Sequence, residues 1–512
     1  MSVQKRPNYV DDRRIEMTAY IGPRRAGKRM FNGVYGANPR DIEGGYPSFI
    51  RDDVFELYKQ AGFSFLMPEG DAFYQRRVTP DGIVKETDFK KSDLYVYMQM
   101  AEKYGLKVYP AIEEVFHEIA HNKRPFGDEE KALIKNFVQE LQEYFPDTFQ
   151  GIMLTDEPSH YEVDRVGEII NYLHSDEIKA IKSDLDIFSS MLPMYTGLVN
   201  YHPDCTEIMG TRKQRKKAYQ YYLELCGETM GEFCCDYYAL GSDGFLSPTT
   251  YQNLEMMAEF GKKRNVPIAI TLLSNRMDTQ YNPKVGHGRG VYRIPSYEDM
   301  RWQVYSSLAF GVRRIAYYTF WQHYSESTGE CYPKAMINYE PSEEKGYRKT
   351  EIYDAVAEVN QEILAIDHIF LRFQWQGCQV VRKSREHNIR LINAGYEDEM
   401  LLHADASRDL LIGCFENPED GVKGYWVVNA KNPYHYEVND VQLSFRDYDR
   451  VVYYRKGKEY DATLDCGKFT IRLGTGEGIF VIPYNSTLQN RKQYADFVCS
   501  NYYFNHSGFD YI

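Results

Sequence analysis

Two adjacent carboxylates close a short apolar run in Gly151-Ile-Met-Leu-Thr-Asp156-Glu157-Pro158-Ser159. Proline has no N–H for a strand ladder, so the run ends at the acids. Neighbouring carboxylates repel, which raises the pKa of one and suits it to general-acid work. The plainer alternative is that Asp156 and Pro158 only cap the helix that follows. A second candidate is His117-Glu118-Ile119-Ala120-His121, a literal HExxH whose histidines share one helical face and could hold zinc. Glu114 before it and Lys123-Arg124-Pro125 after it make a short polar segment, and no third ligand stands out. A metal-dependent hydrolase using His117 and His121 stays open as an alternative, but the expected site holds no metal and needs no cofactor. Gly22-Pro-Arg-Arg-Ala-Gly27-Lys28-Arg29 mimics a phosphate loop, yet Arg29 stands where Ser or Thr must meet Mg²⁺. It reads as a basic loop, and the run 212–217 as a solvated face.

The elements that must carry these residues alternate between residues 30 and 325. β-branched or aromatic runs at 30–35, 64–67, 107–112, 151–155, 186–191, 233–238, 267–273 and 314–320 read as strands. Between them, three- and four-residue apolar spacing predicts helices over 52–60, 93–104, 129–144, 163–173, 213–225, 250–263 and 297–310, with an eighth over 349–365. Eight strand–helix units in about 300 residues is the count of a (β/α)₈ TIM barrel. A doubly wound sheet is the alternative, but no Gly-rich turn follows the first strand. Beyond about residue 370, short strands between Gly, Asn, Asp and Lys turns predict a small all-β domain. The expected division is a barrel over 1–368, a β-sandwich-like domain over 369–485 and an aromatic tail over 486–512. In a barrel the chemistry sits at the C-terminal strand ends. The expected mouth therefore also includes Tyr35, Asn38, Glu69, Asp71, Glu113, Glu114, Asp236, Tyr238, Asn275, Trp321, Gln322 and His323.

Composition narrows the partners. The 512 residues are 43% hydrophobic and 26% charged, ample for a large core. A formal charge of −13 disfavours nucleic acid. No apolar run reaches the roughly 18 residues of a membrane span, and the polar N-terminus has no signal-like core. Nine Cys without CxxC spacing suit reduced thiols and a cytoplasmic home. The 45 Tyr supply flat apolar faces with polar tips, which suit sugars as well as ordinary packing.

Four stretches carry a resemblance. The strand-four run is similar to the Asn-Glu-Pro signature of clan-A glycoside hydrolases, where the Glu is the acid/base. Cys235-Asp236-Tyr237-Tyr238-Ala239 resembles the (W/Y)-D-x-Y-P strand of bacterial β-galactosidase-like members. The run 300–311, followed by 314–321, resembles their helix seven and strand eight, ending in an aromatic that floors the sugar site. Leu473-Gly-Thr-Gly-Glu-Gly-Ile-Phe480 resembles their last β-domain hairpin. The resemblance implies a hydrolase acting on a glycoside or small glycan, with Glu157 as general acid/base and Asp156 as its partner. It also makes a homo-oligomer reasonable.

Two departures shape the expected mechanism. Asp156 replaces the clan's Asn, and the strand-seven run 267–276 has no carboxylate where the clan's nucleophilic Glu belongs. Asp278 lies just beyond. Three readings follow. Asp156-Glu157 could act as in hexosaminidases, with Asp steadying a substrate acetamido nucleophile. Asp236 or Glu69 could instead activate water in an inverting reaction, about 6.5–9.5 Å from Glu157. The third is a non-catalytic glycan-binding barrel.

Overall fold

The computed structural model describes residues 14–24, 48–68, 76–79, 82–85, 88–112, 125–158, 162–191, 232–241, 244–276, 292–322, 334–384 and 389–486. Eight short parallel strands lie among them: β1 (Glu16–Ala19), β2 (Phe65–Leu66), β3 (Lys107–Val108), β4 (Gly151–Asp156), β5 (Asp186–Met191), β6 (Phe233–Asp236), β7 (Ile268–Leu273) and β8 (Val312–Tyr318). Six of them form one curled sheet in the order β1-β8-β7-β6-β5-β4. The β2–β3 pair stands between its edges. Ser64 N–H donates to Met17 O at 2.8 Å on one side, and Ile112 N–H to Met153 O at 3.1 Å on the other. The expected unbroken eight-strand ladder is therefore replaced by six strands plus two. A physical reason lies in Pro110, between the single bridges Val108–Phe149 and Ala111–Met153, which has no N–H to continue the ladder.

The expected first strand, 30–35, lies outside the described residues. Its place beside β8 is taken by β1, with Glu16 opposite Arg314 and Thr18 opposite Ala316. Side chains alternate, so residues two apart share a face. Glu16, Thr18 and Tyr20 therefore share the interior with Arg314, Ala316 and Tyr318, with Glu232, Cys234 and Asp236, and with Asp186, Phe188 and Ser190. The lowest layer is ionic. Arg314, 2% exposed, donates to Glu16, to Glu232, to Asp186 at 3.1 Å and to Tyr109 at 3.2 Å, and lies 5.0 Å from the Phe65 ring centroid. One guanidinium thus touches β1, β2, β5, the residue before β6 and the residue following β3, and the strands share a single interior although their ladder is broken.

Among the described residues, seven helices of nine residues or more cover the strands: α1 (Asp52–Gln60), α2 (Asp93–Lys103), α3 (Asp128–Tyr144), α4 (Val163–Leu173), α5 (Thr250–Arg264), α6 (Tyr297–Ala309) and α7 (Glu351–Leu364). They match the expected helices to within two residues at either end. The helix expected at 213–225 lies outside the described residues. No described helix is long and apolar enough to cross a membrane.

Beyond α7, nine antiparallel strands make two sheets: β9 (Gln374–Val381), β10 (Leu401–Ala406), β11 (Leu410–Glu416), β12 (Lys423–Asn429), β13 (Asn439–Phe445), β14 (Arg450–Arg455), β15 (Lys458–Thr463), β16 (Lys468–Leu473) and β17 (Gly478–Tyr484). The larger runs β9-β11-β12-β17-β14-β15 and the smaller β10-β13-β16. Leu410, Ile412, Val427, Leu443 and Ile479 are among the apolar residues buried between them. The larger sheet packs on α6, which is buried from Asp299 to Ala309 because it also covers β7 and β8.

The Gly-rich run 474–478 is the key of this docking. A Cβ on Gly476, whose φ is +63°, would meet Glu298 O at 2.2 Å, and one on Gly478 would meet the Tyr305 ring. Between them Glu477 is buried. Burial alone would raise its pKa, but hydrogen bonds from Arg455 and Gly474 and the Arg301 charge, 3.1 Å away, hold it at about 2. A carboxylate held below its unfolded value of 4.5 stabilises the fold above that pH. The contribution, about 3 kcal/mol, is lost as pH falls from about 4.5 towards 2. Glu477→Gln is therefore expected to lower stability in urea at pH 7 and to differ little from the parent near pH 2.

Candidate active site

The carboxylates expected at strand four come together with Asp236 because the backbone breaks its alternation twice. A bulge in β4, between Met153 and Thr155, sets Asp156 opposite Ser190 and on the interior face. Without the extra residue Asp156 would point outwards. The next residue, Glu157, has φ +46°, a left-handed conformation that a non-glycine side chain adopts at a cost of order 1 kcal/mol. Its N–H donates to Ser190 O at 2.9 Å, and its side chain is exposed in the mouth yet hydrogen-bonded to Asp236. The two acids are thus consecutive in sequence and face the same cavity.

Asp236 ends β6 and is 5% exposed. Burial, then the Glu157 charge and hydrogen bond, then the Asp156 charge push its pKa well above the usual carboxylate range. Its carboxyl is thus biased towards the neutral form beside Glu157, and among the described residues its Oδ1 has no hydrogen-bond partner. Asp156 accepts from Tyr20 Oη at 3.2 Å. It does not cap α4, whose N-cap is Glu162.

Tyrosines wall the carboxyls. The Tyr238 ring lies 5.7 Å from Tyr318 and 5.8 Å from Tyr292, and Tyr20 lies 6.0 Å from Tyr318. Burial, and next the Asp236 charge, keep the Tyr238 phenol un-ionised far above its usual range. After β7, Asn275 is fully buried. Its Nδ2 donates to Thr319 Oγ1 at 3.4 Å, and its Oδ1 has no partner among the described residues. Gln303 of α6 fixes that strand end by bonding both the N–H and C=O of Leu273.

Among the candidate residues, the structure brings Asp156, Glu157, Asp236 and Tyr238 together. Two expectations change. Asp236 is in hydrogen-bond contact with Glu157, which leaves no space for a sugar and a water, so it is not the distant base of an inverting pair. Trp321 is fully buried with its face 4.9 Å from Tyr339 and 4.7 Å from Phe49, so it serves packing and not an open sugar platform. Gln322 is half-buried, its N–H bonded to Ile337 O. Glu69, with Tyr35, Asn38, Asp71, Glu113, Glu114, His117, His121, Asp278, His323 and the run 212–217, lies outside the described residues, as does the chain from 487 onwards. Tyr20, Tyr292 and Tyr318 were not among the expected site residues. Tyr20 follows Glu16 and Thr18 at strand spacing, a signal concealed by its polar surroundings.

No protein-family profile matches this chain, and no curated protein does. Solved structures of similar outline exist. A family 39 glycoside hydrolase from Bacteroides cellulosilyticus WH2 is 11% identical, with a TM-score of 0.45 over 93% of this chain and 82% of that one. An Anoxybacillus alpha-amylase is 13% identical, with a TM-score of 0.46 over 93% and 99%. The alpha-L-arabinofuranosidase of Thermotoga maritima is 11% identical, with a TM-score of 0.42 over 92% and 96%.

Proposed function

We propose that the protein is a glycoside hydrolase with Glu157 as general acid/base, acting on sugars that carry a 2-acetamido group. The observation that carries this reading is the division of labour among three carboxyls at the ends of strands four and six. Asp236 is occupied with Glu157, and Asp156 faces the same cavity, anchored by Tyr20. Of the readings open to the sequence, substrate assistance uses this arrangement with no further carboxylate. Glu157 and Asp236 each enter the reaction protonated; the acetamido oxygen attacks the anomeric carbon, the glycosidic bond breaks, and Glu157 passes its own proton to the departing oxygen while Asp236 keeps its proton. Asp156 accepts the acetamido N–H and stabilises the positive charge that develops on that group. Glu157, now ionised and hydrogen-bonded by Asp236, then takes a proton from the water that opens the cyclic intermediate. The tyrosine walls offer flat faces to the sugar and reduce its contact with bulk water.

The substrate is a neutral glycan, and the described cysteines, all free, suit the cytoplasmic location expected from sequence. The test is a panel of nitrophenyl glycosides of both anomers, with and without the acetamido group. Turnover is expected on an N-acetylhexosaminide and not on the matching hexoside. Asp156→Asn should lower kcat by about 10²-fold, the usual cost of one charge-stabilising contact. Equal turnover of both sugar types would overturn substrate assistance, and no turnover of any would overturn the hydrolase reading.

A further inference from the structure

Phe245 and Tyr434, two of the large apolar side chains most exposed among the described residues, meet at the seam between the strand-six loop and the β-domain, and Tyr436 and Val438, also exposed, follow Tyr434 in the same β12–β13 loop. The aromatic three are 48%, 50% and 64% exposed. Phe245 belongs to the loop that leaves the site directly after Asp236 and Tyr238. Its arms are bridged at Leu240–Leu246, and Gly241 is bridged to Tyr292, the ring that packs on Tyr238. Arg293, the next residue, donates to Gly241 O and Phe245 O, each at 3.2 Å, and lies 5.6 Å from the Tyr434 ring centroid. Gly244, with φ +75°, lets the Tyr434 ring lie directly against the backbone, where a Cβ would meet it at 2.5 Å. An ion pair to Asp299 and a contact with Asn432 hold Arg293 in place. The aromatic surface is thus built and connected to the mouth by a chain of packed residues.

From this geometry we infer that Phe245, Tyr434 and Tyr436 form an outer subsite that holds the further sugar units of a neutral oligosaccharide whose end lies in the mouth. The inference rests on the glycosidase reading and extends it to substrates longer than a disaccharide. Size and chemistry favour a glycan over a protein. Three half-exposed rings offer roughly 300 Å² in all, well below the roughly 800 Å² per partner of a stable protein interface. Two of the three carry hydroxyl tips, and His435 supplies a polar group beside Tyr434, while Arg293 spends its N–H groups within the fold and holds the rings in place. Such rings stack on pyranose faces while the polar groups meet sugar hydroxyls.

The test uses the full chain carrying Glu157→Gln, so that ligands persist, and calorimetry with the di- and hexasaccharides of β-1,4-linked N-acetylglucosamine, glucose and xylose. At least one hexasaccharide is expected to bind tenfold or more tightly than its disaccharide. Adding Phe245→Ala with Tyr436→Asn, an asparagine being tolerant of the left-handed backbone there, should bring that ratio towards one. Tyr434→Phe, which keeps the ring, should retain most of it. A ratio unchanged by the substitutions, or no hexasaccharide bound, overturns the subsite. So does a dimer of the parent that dissociates in the variant, which would make the patch an interface between copies. If no nitrophenyl glycoside is hydrolysed yet the ratio collapses as expected, the hydrolase reading fails and the glycan surface stands.

Discussion

Glu157→Gln is expected to lower kcat by about 10³-fold, within the span attributed to a positioned acid/base, while leaving glycan binding measurable. Glutamine keeps the shape and a hydrogen bond to Asp236 but can neither give a proton to the departing oxygen nor take one from water. Asp236 acts through Glu157 and is a positioning residue. Its proton survives to high pH because burial, the Glu157 charge and the Asp156 charge all oppose a further anion. While protonated it donates to the Glu157 carboxylate formed in the first step. As pH rises and Asp236 ionises, that donor is replaced by a like charge, so kcat should fall on the alkaline side. Asp236→Asn retains an N–H donor that does not titrate, and its profile should lose this alkaline fall. Asp236→Ala has no donor at any pH and should lose about 10²-fold throughout. A merely structural Asp236 would instead give Asn and Ala variants with parallel profiles. Steady-state rates from pH 4 to 10 on the best nitrophenyl substrate separate these outcomes.

Among the described residues, the order of strands two to eight and of the helices between them was legible because strand and helix periods differ. The β-domain was legible as a change of pattern after residue 370, and Leu473–Phe480 as a motif, though its purpose was not. The purpose is backbone approach: Gly476 and Gly478 lie where any side chain would strike Glu298 or Tyr305. The first strand was misplaced because its inward face carries Glu16 and Thr18, which read as a polar tail until Arg314 is set opposite them. Asp156 and Glu157 stood out as a pair, but an ideal strand would aim them to opposite faces. A one-residue bulge and a left-handed φ bring them together, and neither has a sequence signature of the kind a glycine or an Asn-Gly turn provides. Asp236 was legible as a candidate, but its partner was not, since contact between the ends of strands four and six depends on curvature and register. Trp321 shows the opposite error. An indole at the end of strand eight suits a sugar by type, but the hairpin 337–349 supplies Tyr339 to cover it.

The largest expected effect on stability comes from the opposite end of the same strands. Arg314→Met should destabilise the protein by about 3–5 kcal/mol at pH 7, because it leaves Glu232 and Asp186 buried without their cation. Burial decides the size. Glu232 and Asp186 are 2% and 5% exposed, whereas the Arg472–Asp440 pair is 70% and 54% exposed, and Arg472→Met should leave the urea midpoint close to the parent's. Tyr109 donates to Asp186 at 2.8 Å and can share one charge but cannot cancel it. The orphaned carboxylates would prefer to be protonated, so the deficit should shrink as pH falls from 7 to 5. Adding Glu232→Gln to Arg314→Met should recover part of it, since one of the stranded anions is then gone. Urea unfolding at both pH values reads the effect. From Arg314 to Tyr318 is four residues, about 13 Å along the strand, which separates the ionic layer from the reacting carboxyls. The folded fraction of Arg314→Met should therefore keep the acid/base pH profile of the parent, so that loss of fold and loss of chemistry are told apart. A stability equal to the parent's would mean that the three acids are held apart by something other than this guanidinium, and the shared interior of the eight strands would need another keystone.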